Sequence, residues 1–292
     1  MRAWSATCLF LAVYTGGAGS LDAREEDAEA PVPAAIRDTN NSLSFSAVER
    51  HVVYREQNDG LLPGAPETLD TESGWIHGFM IEGRLQQPAL GLHDFFFRAR
   101  VALTWGELDY DGGTQINQMY VPTTLTTRAS MTDLGLTVGA GIGLGQHLAV
   151  TPLITYGFRF WKRVLNDNGL GAYHEEYSSH ELAAGAMAQI LIGERVVATA
   201  GGMVGGIFHA SVYIQPAPAA SLALGRSVTF HGEGSLEYKI VTSPLVHLFA
   251  SYDVCSFGFG RSPMKATNGA DIVEPESATF QHEVRAGLLF GF

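Results

Sequence analysis

Only two cysteines occur in 292 residues, and one of them, Cys8, stands too early in the leading segment to be a lipid-attachment site. Cys255 is then alone in the body of the chain, so no internal disulfide can form and the fold holds by packing and hydrogen bonding. Basic residues are scarce: 18 Lys and Arg against 30 Asp and Glu give a formal net charge of −12, which excludes a nucleic-acid binder's cationic footprint. Charged residues of both signs make up only 16% of the chain. An uninterrupted apolar run of the roughly 20 residues that a membrane helix needs is also missing. The nearest approach is the uncharged stretch from Val196 to Gly225, with overlaid GxxxG pairs Gly201/Gly205 and Gly202/Gly206. It is broken by His209 and "QPAPAA", and its glycine and β-branched residues favour a strand.

Glycine, by contrast, is plentiful at 34 residues. The opening "MRAWSATCLFLAVYTGGAGS" (residues 1–20) reads as a cleaved secretory signal: Arg2, then an apolar stretch from Trp4 to Tyr14, then small residues at Ala18 to Ser20. Residues 21–41, rich in Ala, Pro and acid, have no periodic apolar face and read as a flexible periplasmic lead-in, in which a short helix would bury little. Residues 42–292 form the main body.

That body alternates. In "FFFRARVALTWGELDYDG", Phe95, Phe97, Ala99, Val101, Leu103 and Trp105 share one side, while Phe96, Arg98, Arg100, Ala102 and Thr104 share the other. Ten such segments follow one another: Leu43–Glu56, Glu72–Leu85, Phe95–Asp111, Arg128–Leu144, Leu148–Leu165, Tyr177–Ile192, Val196–Tyr213, Ser227–Val241, Val246–Gly260 and Ala278–Phe292. Nearly all exceed the 9–11 residues a membrane-crossing strand requires. Short turns ("GQH", "GER", "TSP" and the longer "QQPALGLHD") alternate with longer connections rich in Gly, Pro, Asn and Asp. Aromatics gather at both ends, with Trp75, Trp105, Tyr110, Tyr120, Phe160, Trp161, Tyr177 and Tyr213 on the long-loop side. Phe95, Tyr238, Phe290 and Phe292 lie on the other, as expected of two interfacial belts.

The chain ends on "HEVRAGLLFGF", in which Val284, Ala286, Leu288, Phe290 and Phe292 occupy alternate positions back from the last residue. This stretch resembles the C-terminal insertion signal of bacterial outer-membrane β-barrel proteins, with Phe290 where Tyr is commoner and Ala286 smaller than usual. Beyond these residues the resemblance is one of architecture. It implies an all-β, transmembrane, antiparallel up-and-down barrel of about ten strands, periplasmic at both chain ends, with five surface loops. Its implied partners are outer-membrane lipid and lipopolysaccharide, the barrel assembly machinery through the last strand, and a surface ligand through the long loops.

With the apolar faces in lipid, Glu82, Arg84, Arg98, Arg100, Asp133, Arg159, Glu181, Glu233, Glu237, Lys239, Asp253, Glu283 and Arg285 look into the lumen. Six are basic and seven acidic, so the charges nearly cancel. Buried charges must pair, and a barrel this narrow is filled by side chains rather than open like a 16–18-stranded porin. A salt-bridged plug is therefore expected, with a thin charged channel as the alternative. Gly139, Gly141, Gly143 and Gly145 fall on one side and leave space for long side chains from across the lumen.

Ten strands also suit the omptin proteases, whose rim carries an Asp pair opposite an Asp-His pair. Asp109 and Asp111 are spaced like the first pair, but the loop holding His209 has no aspartate, so the chain does not match. Ser179, His180 and Glu181 cannot form a relay, because adjacent strand residues point to opposite faces. The ten histidines show neither HxH nor HExxH spacing, and the carboxylates Glu67, Asp70 and Glu72 do not have calcium-loop spacing. No catalytic residue, cofactor or metal site is assigned.

Overall fold

A sheet with one apolar and one polar face leaves no edge unpaired in lipid only if it closes on itself. The computed structural model shows this closure; it describes residues 31–116, 119–165, 173–215, 219–266 and 271–292. The expected leader, 1–20, and residues 21–30 of the expected lead-in lie outside the described residues. Ten long antiparallel strands make the wall: β1 Ser42–Gln57, β2 Thr68–Ala89, β3 Leu92–Ile116, β4 Met119–Ala140, β5 Leu148–Leu165, β6 Tyr173–Ile192, β7 Val196–Gln215, β8 Ser227–Thr242, β9 Leu245–Phe259 and β10 Glu276–Gly291. Each pairs with its chain neighbours, and β10 pairs with β1 from Ser42↔Gly291 to Gln57↔Glu276, which closes the ring. The terminal aromatic stretch is thus the closing strand. The uncharged segment from Val196 forms strand β7, and no described helix is long and apolar enough to cross a membrane.

Turns at one end are tight. Leu90 and Gly91 both have positive φ, 54° and 79°, so "QQPALGLHD" is mostly strand around a two-residue turn. The other end departs from expectation at one connection: instead of a long loop after β3, the ladder runs on to Ile116↔Met119. The Thr-rich "TTLTTR" supplies the β-branched side chains that prolong pairing above the barrel.

The outer surface carries a continuous apolar band, including Phe45, Phe79, Val101, Leu136, Ile154, Leu182, Phe230 and Leu288. It stops at Trp75 and Trp105, where outward His51, His77, His180 and His282 appear beside rings or carboxylates. Beyond this level polar outward residues appear, for example Lys162 paired with Glu176 at 3.2 Å. Three expected belt aromatics lie elsewhere: Tyr110, Trp161 and Tyr177 are buried in the lumen. Parity decides this, since Trp161 is two residues from inward Arg159, and Tyr177 four from inward Glu181.

Residues 31–41 of the expected lead-in are also placed differently. Helix α1, Ala34–Asn40, sits in the short-turn mouth of the barrel. Ile36 is fully buried with Val32 against Ala149 and Val197. Although α1 has barely two turns, the surrounding wall encloses it, which is why so short a helix can bury its apolar residues.

Candidate functional site

The lumen is filled in layers, and the first is α1. Asn40 Nδ2 donates to Gln86 Oε1 and to Gln189 Oε1, both at 2.7 Å, so one side chain ties β2 to β6. Asp94 accepts from the Val32 backbone N–H at 2.9 Å and pairs with Arg37 at 3.0 Å. A Cβ at Gly141 would collide with Gln86 and Val32, so this member of the glycine series makes room for the plug.

Next comes the charged layer. Arg50 bridges Glu283 at 2.6 Å and Asp133 at 2.7 Å, and Asp133 also holds Arg159 at 2.6 Å. Arg84 joins Glu82 at 2.6 Å to Glu237 at 2.7 Å. Arg98 meets Glu233 at 3.0 Å, and Arg285 meets Asp253 at 2.6 Å. Arg100 lies over Gly135 on the same lumen side, and Lys239 lies near the short-turn rim, its backbone N–H bonded to Arg195. Arg50 and Arg84, each holding two carboxylates, and Asp133, shared by two arginines, give a crosslinked interior in which removing one member leaves another buried charge unmatched. Within this layer is a cavity of about 80 Å³, lined among others by Asp133, Arg159, Glu181, His231 and Glu283. Glu181 Oε1 is held by His231 Nε2 at 2.5 Å and Thr229 Oγ1 at 2.6 Å.

Toward the long loops the interior turns apolar. Val52, Ile76, Leu108, Met131, Trp161, Ile207, Val212, Phe257 and Phe259 pack into one buried cluster across the lumen. At this height the inward face is itself apolar, so strict polar-in alternation fails.

Beyond that layer one guanidinium serves five carboxylates. Arg163 contacts Glu72 at 2.7 Å, Glu175 at 2.6 Å, Glu56 at 3.5 Å and Asp70 at 3.9 Å. Glu274 reaches the group through the Tyr177 hydroxyl, which lies 2.5 Å from Glu274 and 2.9 Å from Glu175. This hydroxyl already accepts from Arg163 Nη1 at 2.9 Å and has one proton to give, so the carboxylates around it cannot all be ionised. The group lies outside the apolar band, beside the outward Lys162–Glu176 pair. Burial, reinforced by Glu56 and Glu72 against the pull of Arg163, pushes Glu175 up to about 7. Burial and the neighbouring Glu175 and Glu56 raise Glu274 well above the usual carboxylate range. Burial and Glu56 do the same to Asp70.

Of the thirteen expected lumen residues, eleven enter the ion pairs and hydrogen bonds above, Arg100 lines the same cavity, and Lys239 shares a strand face with Glu237. Arg50, Glu56, Arg163, Glu175 and Glu274 join them without any expectation at their positions, and Asp70 and Glu72, expected as first-loop carboxylates, join them too. Parity would have found Arg50, on the face of Ser44, Ser46 and Val48, and Arg163, four residues from Arg159. Glu274 is in a connection between strands and gives no periodic signal. The rim brings no protease set together: Asp109 and Asp111 are exposed on β3, whereas His209 sits at a bulge on β7 beside His180. Ser179 is buried inside while His180 packs against outward rings. No grouping of three His, Cys, Asp or Glu among the described residues has metal-holding geometry.

No protein-family profile matches the chain, and no curated protein matches it. Among solved structures, the outer-membrane protease OmpT of Escherichia coli superposes with a TM-score of 0.60 at 9% identity, over 86% of this chain and 95% of that one. The translocator domain of autotransporter NalP from Neisseria meningitidis gives 0.42 at 13% identity, over 86% and 88%. Ail of Yersinia pestis gives 0.32 at 12%, over 86% and 99%. At such identities the likeness concerns fold alone. The chain is a closed ten-stranded β-barrel of the bacterial outer-membrane kind.

Proposed function

We propose that this protein is a plugged outer-membrane barrel whose role is structural or surface-interacting, exercised through its long-loop end. What supports this reading above all is the filling of the lumen at three heights: α1, the arginine–carboxylate layer and the apolar cluster around Trp161. A conducting pore needs a continuous wet path, and the apolar layer interrupts one whatever the charged layer does. In this reading both chain ends are periplasmic, the leader 1–20 is removed on export, and β10 carries the signal read by the barrel assembly machinery. Lipopolysaccharide would meet the outer rim at Trp75, Trp105 and Lys162, and the long loops, including the β3–β4 hairpin, would meet any surface ligand.

Planar-bilayer recording on the refolded protein tests the reading. The expected result is a flat baseline; stable single-channel steps would overturn the plug and establish the narrow pore instead.

A further inference from the structure

We propose that Cys255, His231 and Glu181 form a reactive-thiol site inside the barrel that takes a small, uncharged hydroperoxide. His231 and Cys255 are directly opposed in the β8–β9 ladder. Opposed residues have Cβ atoms about 4.5–5.5 Å apart, and both side chains line the same cavity. The 2.5 Å contact of His231 Nε2 with Glu181 fixes that nitrogen as the proton-bearing one. Nδ1 is thereby the ring nitrogen available to Cys255 across the ladder. Thr229 holds the carboxylate from its other side. Arg159 lines the same cavity. It is itself pinned by Asp133 at 2.6 Å and by the Phe257 ring, 4.0 Å from its guanidinium carbon.

These groups line the cavity of about 80 Å³. Each enclosed water needs at least about 10–15 Å³ by this kind of measure, so the space suits a few waters and no peptide or acyl chain. The apolar layer on one side and α1 on the other admit only small molecules without charge. Cys255 is the sole thiol among the described residues and has no disulfide partner.

A hydroperoxide meets these limits and has a balanced reaction with a thiol. The sulfur of Cys255 attacks one peroxide oxygen, forming an S–O bond as the O–O bond breaks. The thiol proton passes to His231 Nδ1 and then to the departing hydroxide. Cys–SH and HOOH become Cys–SOH and water, with sulfur oxidised by two electrons and the peroxide reduced by two.

The test treats the folded, detergent-solubilised barrel with hydrogen peroxide, traps sulfenic acid with dimedone and locates the adduct by mass spectrometry. The adduct is expected on Cys255 and absent in Cys255→Ser. His231→Gln should slow its formation at least about tenfold, at the lower edge of what general-base assistance supplies. Glu181→Gln, a positioning change, should slow it and displace its pH profile. Folding of each variant is checked by heat-modifiable gel mobility. An adduct that forms only after the barrel is unfolded overturns the proposal. So does a folded His231→Gln reacting at the wild-type rate. Should His231→Gln not fold, an unchanged rate and pH profile in Glu181→Gln overturns it equally.

Discussion

Arg50 of β1 and Glu283 of β10 face each other across the seam where the barrel closes, with Arg50 Nη2 and Nε at 2.6 Å and 2.8 Å from the same carboxylate oxygen. They are register partners, so the ion pair spans the first and last strands. Glu283→Ala leaves the guanidinium with Asp133 alone and should cost about 3–5 kcal/mol. Replacing both partners by Arg50→Met and Glu283→Leu should recover most of that loss. Urea unfolding in detergent reads both; equal losses for the single and double replacements would refute the pairing.

Arg163 sits among five carboxylates at the long-loop end. Arg163→Met should destabilise that end by about 3–5 kcal/mol, since Glu72 and Glu175 lose their partner while buried. Hydrogen exchange should increase around Glu72, Glu175 and Tyr177 and remain unchanged around α1. A uniform increase over the whole barrel would contradict a local role.

The same cluster sets a pH dependence. Glu175, at about 7, and the raised Glu274 and Asp70 bind protons more tightly folded than unfolded. Their favourable contribution is complete below the unfolded carboxylate range and is lost as pH rises through the folded values. Exchange of amides around Glu274 should therefore quicken between about pH 5 and pH 8, the window set by ordinary carboxylates and by Glu175. Glu274→Gln should flatten this rise; a slope that persists unchanged would assign it elsewhere.

Outward exposure predicts a spectroscopic pattern. Val101 and Leu288 are 42% and 41% exposed within the apolar band. Nitroxides placed there should respond to oxygen and not to a water-soluble relaxant, whereas one at Asp109, beyond Trp105, should show the reverse. Water contact at Val101 would remove the barrel from the bilayer.

Strand number, closure and the inward set from Glu82 to Arg285 were legible because alternation marks them residue by residue. Trp161 and Tyr177 fall at belt height by their place along the chain, although parity with Arg159 and Glu181 points inward. The helix at Ala34–Asn40 could not be weighed from its own residues, because Ile36 is buried by Ala149 and Val197, more than a hundred positions away. The overshoot of β3 and β4 was missed for a different reason: threonines and glycines near Gly112 suit a loop as well as a strand, and only pairing across the hairpin decides.

The apolar cluster around Trp161 bears on how the chain survives before insertion. Strands that meet grease on just one side can shelter it against a neighbour while their charged side keeps them in solution. At the height of this cluster the inward side carries no charge of its own, so aqueous transit should be most hazardous there. Aggregation of the denatured chain should then start from the segments around Met131, Trp161 and Phe257 and not from the arginine-rich stretch near Arg98.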